Sequence, residues 1–264
     1  MNAVKLLLTL AVICGLCACG RGLEFDIANN DSSAFADAIR AANAAPGHSK
    51  IRLARRGLYV LSSEAEAGLL LPGVTGRLTI EGNHAEVRGY STRPAAILET
   101  TEEARLIVEN LVLAEGTNGT LRNFGWLRLT NVAIVDGSVT TGTAIVLNHG
   151  ELETVGGEIA FNHLLSNRRD AGTVLNFGRA KFTDTRIHGN RAISRHPAVA
   201  VSGGVLNFGQ VAVESVLFDD NEIPAEDSPR LSFGGILNVG NGRVSGKTSP
   251  DQVRNARLEL VASQ

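Results

Sequence analysis

The chain has 264 residues, a net charge of −2, 44% hydrophobic and 20% charged residues. These values are ordinary for a globular protein and leave no bulk basic field, so nothing directs the chain toward nucleic acid. Glycine is frequent at 29 residues and aromatics are scarce at 5%, which suits many turns around an aliphatic core. The three cysteines, Cys14, Cys17 and Cys19, all lie in the N-terminal apolar segment, so no disulfide staples the body.

Residues 1–19 read as a targeting signal. Lys5 supplies the positive start, and Leu6 to Leu16 form an apolar run too short for a comfortable bilayer span. The run closes on Leu16-Cys17-Ala18-Cys19. This resembles a bacterial lipobox, which implies cleavage before Cys19 and lipidation of it. Gly20 in the following position implies the outer membrane, facing either the periplasm or the surface. Two or more acyl chains give stable anchoring. Residues 20–30 are expected to be a polar tether. Asp31-Ser32-Ser33 then offers N-cap side chains, and Phe35, Ala38, Ile39 and Ala42 follow the helical spacing. Ala45-Pro46-Gly47 ends this helix, 31–45, which is expected to cap a stacked core.

Short strand-like runs follow at 50–53, 58–61, 78–82, 85–87 and 106–108. None carries a helical period, which excludes helix-rich repeats. A phrase then recurs: Leu121-Arg122-Asn123-Phe124-Gly125, Val146-Leu147-Asn148-His149-Gly150, Val174-Leu175-Asn176-Phe177-Gly178, Val205-Leu206-Asn207-Phe208-Gly209 and Ile236-Leu237-Asn238-Val239-Gly240. Its asparagines step by 25, 28, 31 and 31 residues, a period that marks a repeat architecture. We count positions from each of these asparagines. Positions +4 (Leu127, Leu152, Ala180, Val211), +6 (Leu129, Thr154, Phe182, Val213) and +11 (Ile134, Ile159, Ile187, Phe218) are expected to face inward, alternating with polar neighbours at the strand period. Position +14 brings a second landmark: Gly137, Asn162, Asn190 and Asn221.

In parallel coils stacked about 4.8 Å apart, equivalent positions lie above one another. Two asparagine ladders are therefore expected, one of Asn123, Asn148, Asn176, Asn207 and Asn238, the other of Asn162, Asn190 and Asn221, each satisfying amides and local backbone. The aromatics at +1 (Phe124, Phe177, Phe208) should stack as a ladder; His149 interrupts the phenylalanines and is read as an aromatic-like stacking residue, with a catalytic or metal role as the alternative. The glycine at +2 in every coil is expected to hold positive φ. Positions +3 (Trp126, Glu151, Arg179, Gln210) and +5 (Arg128, Glu153, Lys181, Ala212) bring opposite charges onto successive coils, as does Glu158 beside Arg186. Such pairs fix register, at a few tenths to about 1 kcal/mol each.

The pairs Gly203-Gly204-Val205-Leu206-Asn207 and Gly234-Gly235-Ile236-Leu237-Asn238, with the hydrophobic-x-x-Asn blocks before them, resemble the GGAI and FxxN repeats of polymorphic outer-membrane proteins and related β-helices of the pectate-lyase-like superfamily. The resemblance covers about residues 29 to 245 and implies an all-β fold: a single-stranded right-handed parallel β-helix over 31–246 with an N-terminal capping α-helix. Residues 247–264 are then a C-terminal cap or tail, with 257–261 as a closing strand.

The repeats themselves are structural, so function is sought in the stretches that lengthen between the corners. These carry Arg168, Arg169, Asp170, Arg191, Arg195 and His196. The leading expectation is a surface-anchored lipoprotein with a binding or structural role at the cell envelope, contacting glycans and needing no cofactor. The alternative is a polysaccharide lyase or epimerase acting on an acidic polysaccharide through Arg168, Arg195, His196 and Asp170, with Ca2+ implied under that alternative alone. Arginine forks suit carboxylates. Asp219-Asp220 matches the acidic pair of β-helix glycosidases poorly. No zinc spacing, P-loop, dinucleotide fingerprint or nucleophile elbow is present. Expected partners are the membrane, through the anchor, and a polysaccharide, with end-to-end protein contact left open.

Overall fold

The computed structural model describes residues 20–140, 142, 144–166, 170–194, 200–223, 231–246 and 250–256. The chain winds into a parallel β-solenoid of about seven turns. The first strand, β1 (Glu24–Ile27), leads into α1 (Ser32–Ala44). Then come β2 (His48–Leu53), β3 (Leu58–Leu61), β4 (Arg77–Gly89), β5 (Leu98–Thr100), β6 (Arg105–Ala114) and β7 (Leu121–Asn123). The next three coils each hold four strands. They are β8 (Trp126–Thr130), β9 (Ala133–Val135), β10 (Ser138–Val139) and β11 (Ala144–Asn148); β12 (Glu151–Val155), β13 (Glu158–Ala160), β14 (His163–Ser166) and β15 (Asp170–Asn176); and β16 (Arg179–Thr183), β17 (Arg186–His188), β18 (Arg191–Ser194) and β19 (Ala200–Asn207). A further coil has β20 (Gln210–Glu214), β21 (Leu217–Asp219), β22 (Leu231–Phe233) and β23 (Ile236–Val239), and the stack ends on β24 (Arg243–Gly246) and β25 (Val253–Ala256).

The helix forms as its apolar spacing requires. Asp31 caps it by accepting a hydrogen bond from the Ala34 N–H, and Phe35, Ala38, Ile39 and Ala42 are buried against the first coils. Phe35 meets Tyr59 edge-on at 5.9 Å. No helix among the described residues is long and apolar enough to cross a membrane. The tether expected at 20–30 is shorter than its range, because β1 pairs in parallel with β2 and Gly22 and Gly47 bring the segments around them into close backbone contact. At the other end, β25 pairs with β23 at 253–256; the closing strand expected at 257–261 lies outside the described residues.

Strands β8, β12, β16, β20 and β24 stack in one face of the solenoid, the first four in the register expected from the asparagine count; β24 is offset by two residues, with Arg243 rather than Asn241 opposite Gln210. Positions +4 and +6 are buried throughout, as is +11 apart from the half-buried Phe218 of the last full coil. The strand face turns sharply at +8, where Asn131, Gly156, Asp184 and Ser215 all hold positive φ, and again at +13, where Asp136, Phe161, Gly189 and Asp220 do so. The left-handed residues expected at +2 are therefore elsewhere. Among the +2 glycines only Gly240 has positive φ. Gly125, Gly150, Gly178 and Gly209 are required for another reason: a Cβ on each would run into backbone carbonyl oxygens of the coil beneath. Glycine there lets neighbouring coils close up at the corner.

Candidate functional site

Two buried ladders fix the coils relative to one another. In the first, the Thr100 hydroxyl donates to Asn123 Oδ1 at 2.6 Å. The Nδ2 groups of Asn123, Asn148, Asn176 and Asn207 then each donate to the Oδ1 of the next asparagine at 2.6–2.7 Å. Asn238 continues the ladder to Asn255 at 3.0 Å. Thr100 and Asn255 escaped the sequence reading because one is not an asparagine and the other breaks the period. In the second ladder Gly137 N–H donates to Asn162 Oδ1, and the amides of Asn162 and Asn190 donate to Asn190 and Asn221.

The first ladder also positions an outward-facing row. Besides its ladder partner, each Nδ2 donates to a backbone carbonyl of the next coil: Asn123 to Glu151 O, Asn148 to Arg179 O and Asn176 to Gln210 O, all at +3, and Asn207 to Arg243 O, which takes the same place at +5, at 3.0–3.2 Å. These are the first residues of β12, β16, β20 and β24. Two residues further along each strand comes a second row on the same outward side, Glu153, Lys181 and Ala212 at +5 and Ser245 at +7.

Between the two rows runs an open groove of about 450 Å³, parallel to the stacking direction. Its sides are Glu151, Arg179, Gln210 and Arg243 against Glu153, Lys181, Ala212 and Ser245, and its floor is the backbone at Leu152, Ala180 and Val211. Small residues at Ala212 and Ser245 open the C-terminal half. This groove falls on the rows read from sequence as register-fixing ion ladders. The registers are as expected, Glu151 opposite Arg179 and Glu153 opposite Lys181, and the expected pair of Glu153 with the coil beneath forms, but the pairs with the coil above do not. Glu153 meets Arg128 at 3.9 Å, whereas Arg179, Lys181 and Arg243 make no side-chain ion pair or hydrogen bond among the described residues. In the first coils the same kind of ladder does close: Glu81 accepts from Lys50 at 2.7 Å and from Arg52 at 3.1 Å. Hydrogen bonding to Lys50 first, then its charge and that of Arg52, hold the Glu81 carboxyl below its ordinary value of 4.5.

The aromatic ladder is continuous. Phe124, His149, Phe177 and Phe208 stack at centroid distances of 5.3, 4.8 and 5.2 Å, with His149 stacking as an aromatic, as expected. Ring faces are turned onto one another, and between the two ends the ladder presents only edges to solvent. Glu158 does not pair with Arg186 as expected. Its carboxylate lies 3.0 Å from His188 Nε2, a diagonal contact across neighbouring coils, with Phe161 edge-on to the imidazole. Asp219 and Asp220 are exposed at a turn, Asp220 at φ 49°.

Of the site residues expected from sequence, Cys19, Arg168, Arg195 and His196 lie outside the described residues. Asp170 begins β15, on the sheet formed by β11, β15 and β19, and does not line the groove. Among the described residues no group of three or more His, Cys, Asp or Glu side chains is placed to hold a metal ion. The family models, the curated proteins and the solved structures give no match to the chain.

Proposed function

We propose that this protein is a bacterial envelope lipoprotein whose solenoid presents the β12–β24 groove to an extended glycan. The observation that carries this reading is the groove itself, an elongated trough with cations that make no ion pair among the described residues on its sides. Polar side chains at fixed spacing along a rigid sheet suit a chain of hydroxylated rings better than a compact apolar ligand. The lipobox-like Leu16-Cys17-Ala18-Cys19 and the repeats similar to those of polymorphic outer-membrane proteins support an envelope location. The lyase or epimerase alternative rests on Arg168, Arg195 and His196, outside the described residues, with Asp170 away from the groove, and is not carried further.

The short connection to β1 supports a definite presentation. Only Gly20 to Leu23 separate Cys19 from β1, a reach of about 14 Å. An anchor on Cys19 therefore holds the helix-capped end at the membrane. The groove strands then stack from about 24 to 38 Å beyond β1 at about 4.8 Å per coil. The test has two arms. Cys19→Ser protein should lose membrane sedimentation and its lipid-dependent mobility shift; retention of both overturns the anchor. A panel of immobilised acidic and neutral polysaccharides should capture the protein; no capture by any member overturns the glycan reading.

A further inference from the structure

We infer that the C-terminal half of the groove, around Gln210 and Ala212, is an anion subsite that takes a carboxylate, sulfate or phosphate substituent through Arg179, Lys181 and Arg243. This deepens the glycan reading and rests on it for the identity of the larger ligand. The argument starts from register. Arg179, Gln210 and Arg243 are successive members of one outward row, so the two arginines flank Gln210 at about 4.8 Å of backbone spacing on either side. Lys181 stands in the parallel row, directly beside Ala212. Three cations thus border one short stretch of trough, and all three line it.

Two features separate this cluster from an ordinary solvated face. Its members make no ion pair among the described residues, although Glu151 and Glu153 stand one coil away beside Arg179 and Lys181 and elsewhere the solenoid closes such ladders. The positions where a fourth long side chain would fill the trough hold Ala212 and Ser245 instead. The result is a concave space with guanidinium groups on one wall and an ammonium on the other. Arginine forks offer paired N–H donors to a planar or tetrahedral oxyanion, and Gln210 adds a neutral amide donor between them. The opposite half of the trough, with Glu151 and Glu153, repels the same group. A ligand is therefore held in one direction, its anionic substituent toward β24 and its hydroxyls toward β12.

The test uses the mature chain with Cys19→Ser, followed by NMR during titration with sodium sulfate, phosphate and glucuronate at constant ionic strength. Saturable shifts are expected at the Gln210 and Ala212 amides and at the Arg179 and Arg243 Nε–H groups. Arg179→Gln and Arg243→Gln should each weaken binding about tenfold, the equivalent of about 1.4 kcal/mol. The three anions distinguish a carboxylate site from a sulfate or phosphate site by their order of affinity. Shifts that stay linear, scatter over all exposed cations, or persist in the double variant overturn the subsite. Saturable anion binding without capture by any polysaccharide keeps the subsite and removes the glycan reading. Polysaccharide capture that is equal for acidic and neutral members and unchanged in the double variant does the reverse.

Discussion

Replacing Asn176 by alanine removes the middle rung of the ladder that aligns the groove. The side chain is fully buried. Its Nδ2 donates to Asn207 Oδ1 at 2.7 Å, Gln210 O at 3.1 Å and Gly178 O at 3.2 Å, and its Oδ1 accepts from Asn148 Nδ2 at 2.6 Å. Two N–H groups serve three acceptors, so the loss amounts to roughly three bonds at about 1 kcal/mol net each. Asn148 keeps donors engaged on Gly150 and Arg179, and Asn207 Oδ1 keeps the Gly209 N–H. Gly178 O keeps the Gln210 N–H, while Gln210 O loses its side-chain donor, at a further cost of about 1 kcal/mol. The expected destabilisation is about 4 kcal/mol. Asn238→Ala, at a rung 8% exposed where water can substitute, should cost about 1–2 kcal/mol. Asn176→Asp should be worse than alanine near neutral pH, because an unpaired carboxylate then faces Asn207 Oδ1, and it should recover in acid once protonated. Guanidinium unfolding followed by far-UV circular dichroism measures all three, with hydrogen exchange to detect fraying of the terminal coils. Equal losses for Asn176→Ala and Asn238→Ala, or a loss below about 1 kcal/mol for the former, would refute the ladder account.

Three other predictions follow from the fold. Gly178→Ala should cost more than about 3 kcal/mol because its Cβ meets the carbonyls of Gly150 and His149, beyond ordinary overpacking. Gly240→Asn, at φ 63° in open space, should cost under about 1 kcal/mol; thermal melts showing the opposite order would restore positive φ as the reason for the +2 glycine. Glu81, held below 4.5 by Lys50 and Arg52, adds stability that is complete above that pH and lost as pH falls through its folded value. Glu81→Gln should therefore destabilise near neutrality and converge with the parent in acid, and a pH-independent difference would contradict the pairing. Phe161→Asn gives up an edge-on contact with His188 worth about 0.5–1.5 kcal/mol. It also relieves a left-handed backbone at φ 56° costing about 1–2 kcal/mol, so its melting temperature should barely move; a large drop would give the Phe161 ring a larger structural part.

The corner was legible in the sequence because a stacked amide ladder demands the same residue in every coil, and the asparagine count gave the register of β8, β12, β16 and β20 correctly. The capping helix was legible because Phe35, Ala38, Ile39 and Ala42 sit at helical spacing. The +2 glycine misled, since positive φ and close backbone approach select the same residue and only coordinates separate them. The true left-handed positions, +8 and +13, were masked by their variety: Asn131, Gly156, Asp184 and Ser215 share a conformation but no side chain. The Glu158–His188 contact was missed because the diagonal neighbour won over the one directly opposite. The groove was hidden for a different reason. Its concavity depends on what Ala212 and Ser245 lack, and its free cations depend on ion pairs that do not form, neither of which a pattern of residue types records. The recurring Leu-Asn-Phe-Gly corner thus acts through the groove, by hydrogen-bonding the carbonyls at Glu151, Arg179, Gln210 and Arg243.

The most direct test is a crystal structure of the mature chain with an acidic oligosaccharide. The account predicts sugar density lying along the outward face of β12, β16, β20 and β24, with an anionic group between Arg179, Lys181 and Arg243 over Gln210 and Ala212. Density confined to the aromatic corner at Phe124–Phe208, to the β15–β19 side near Asp170, or to the helix-capped end would contradict it.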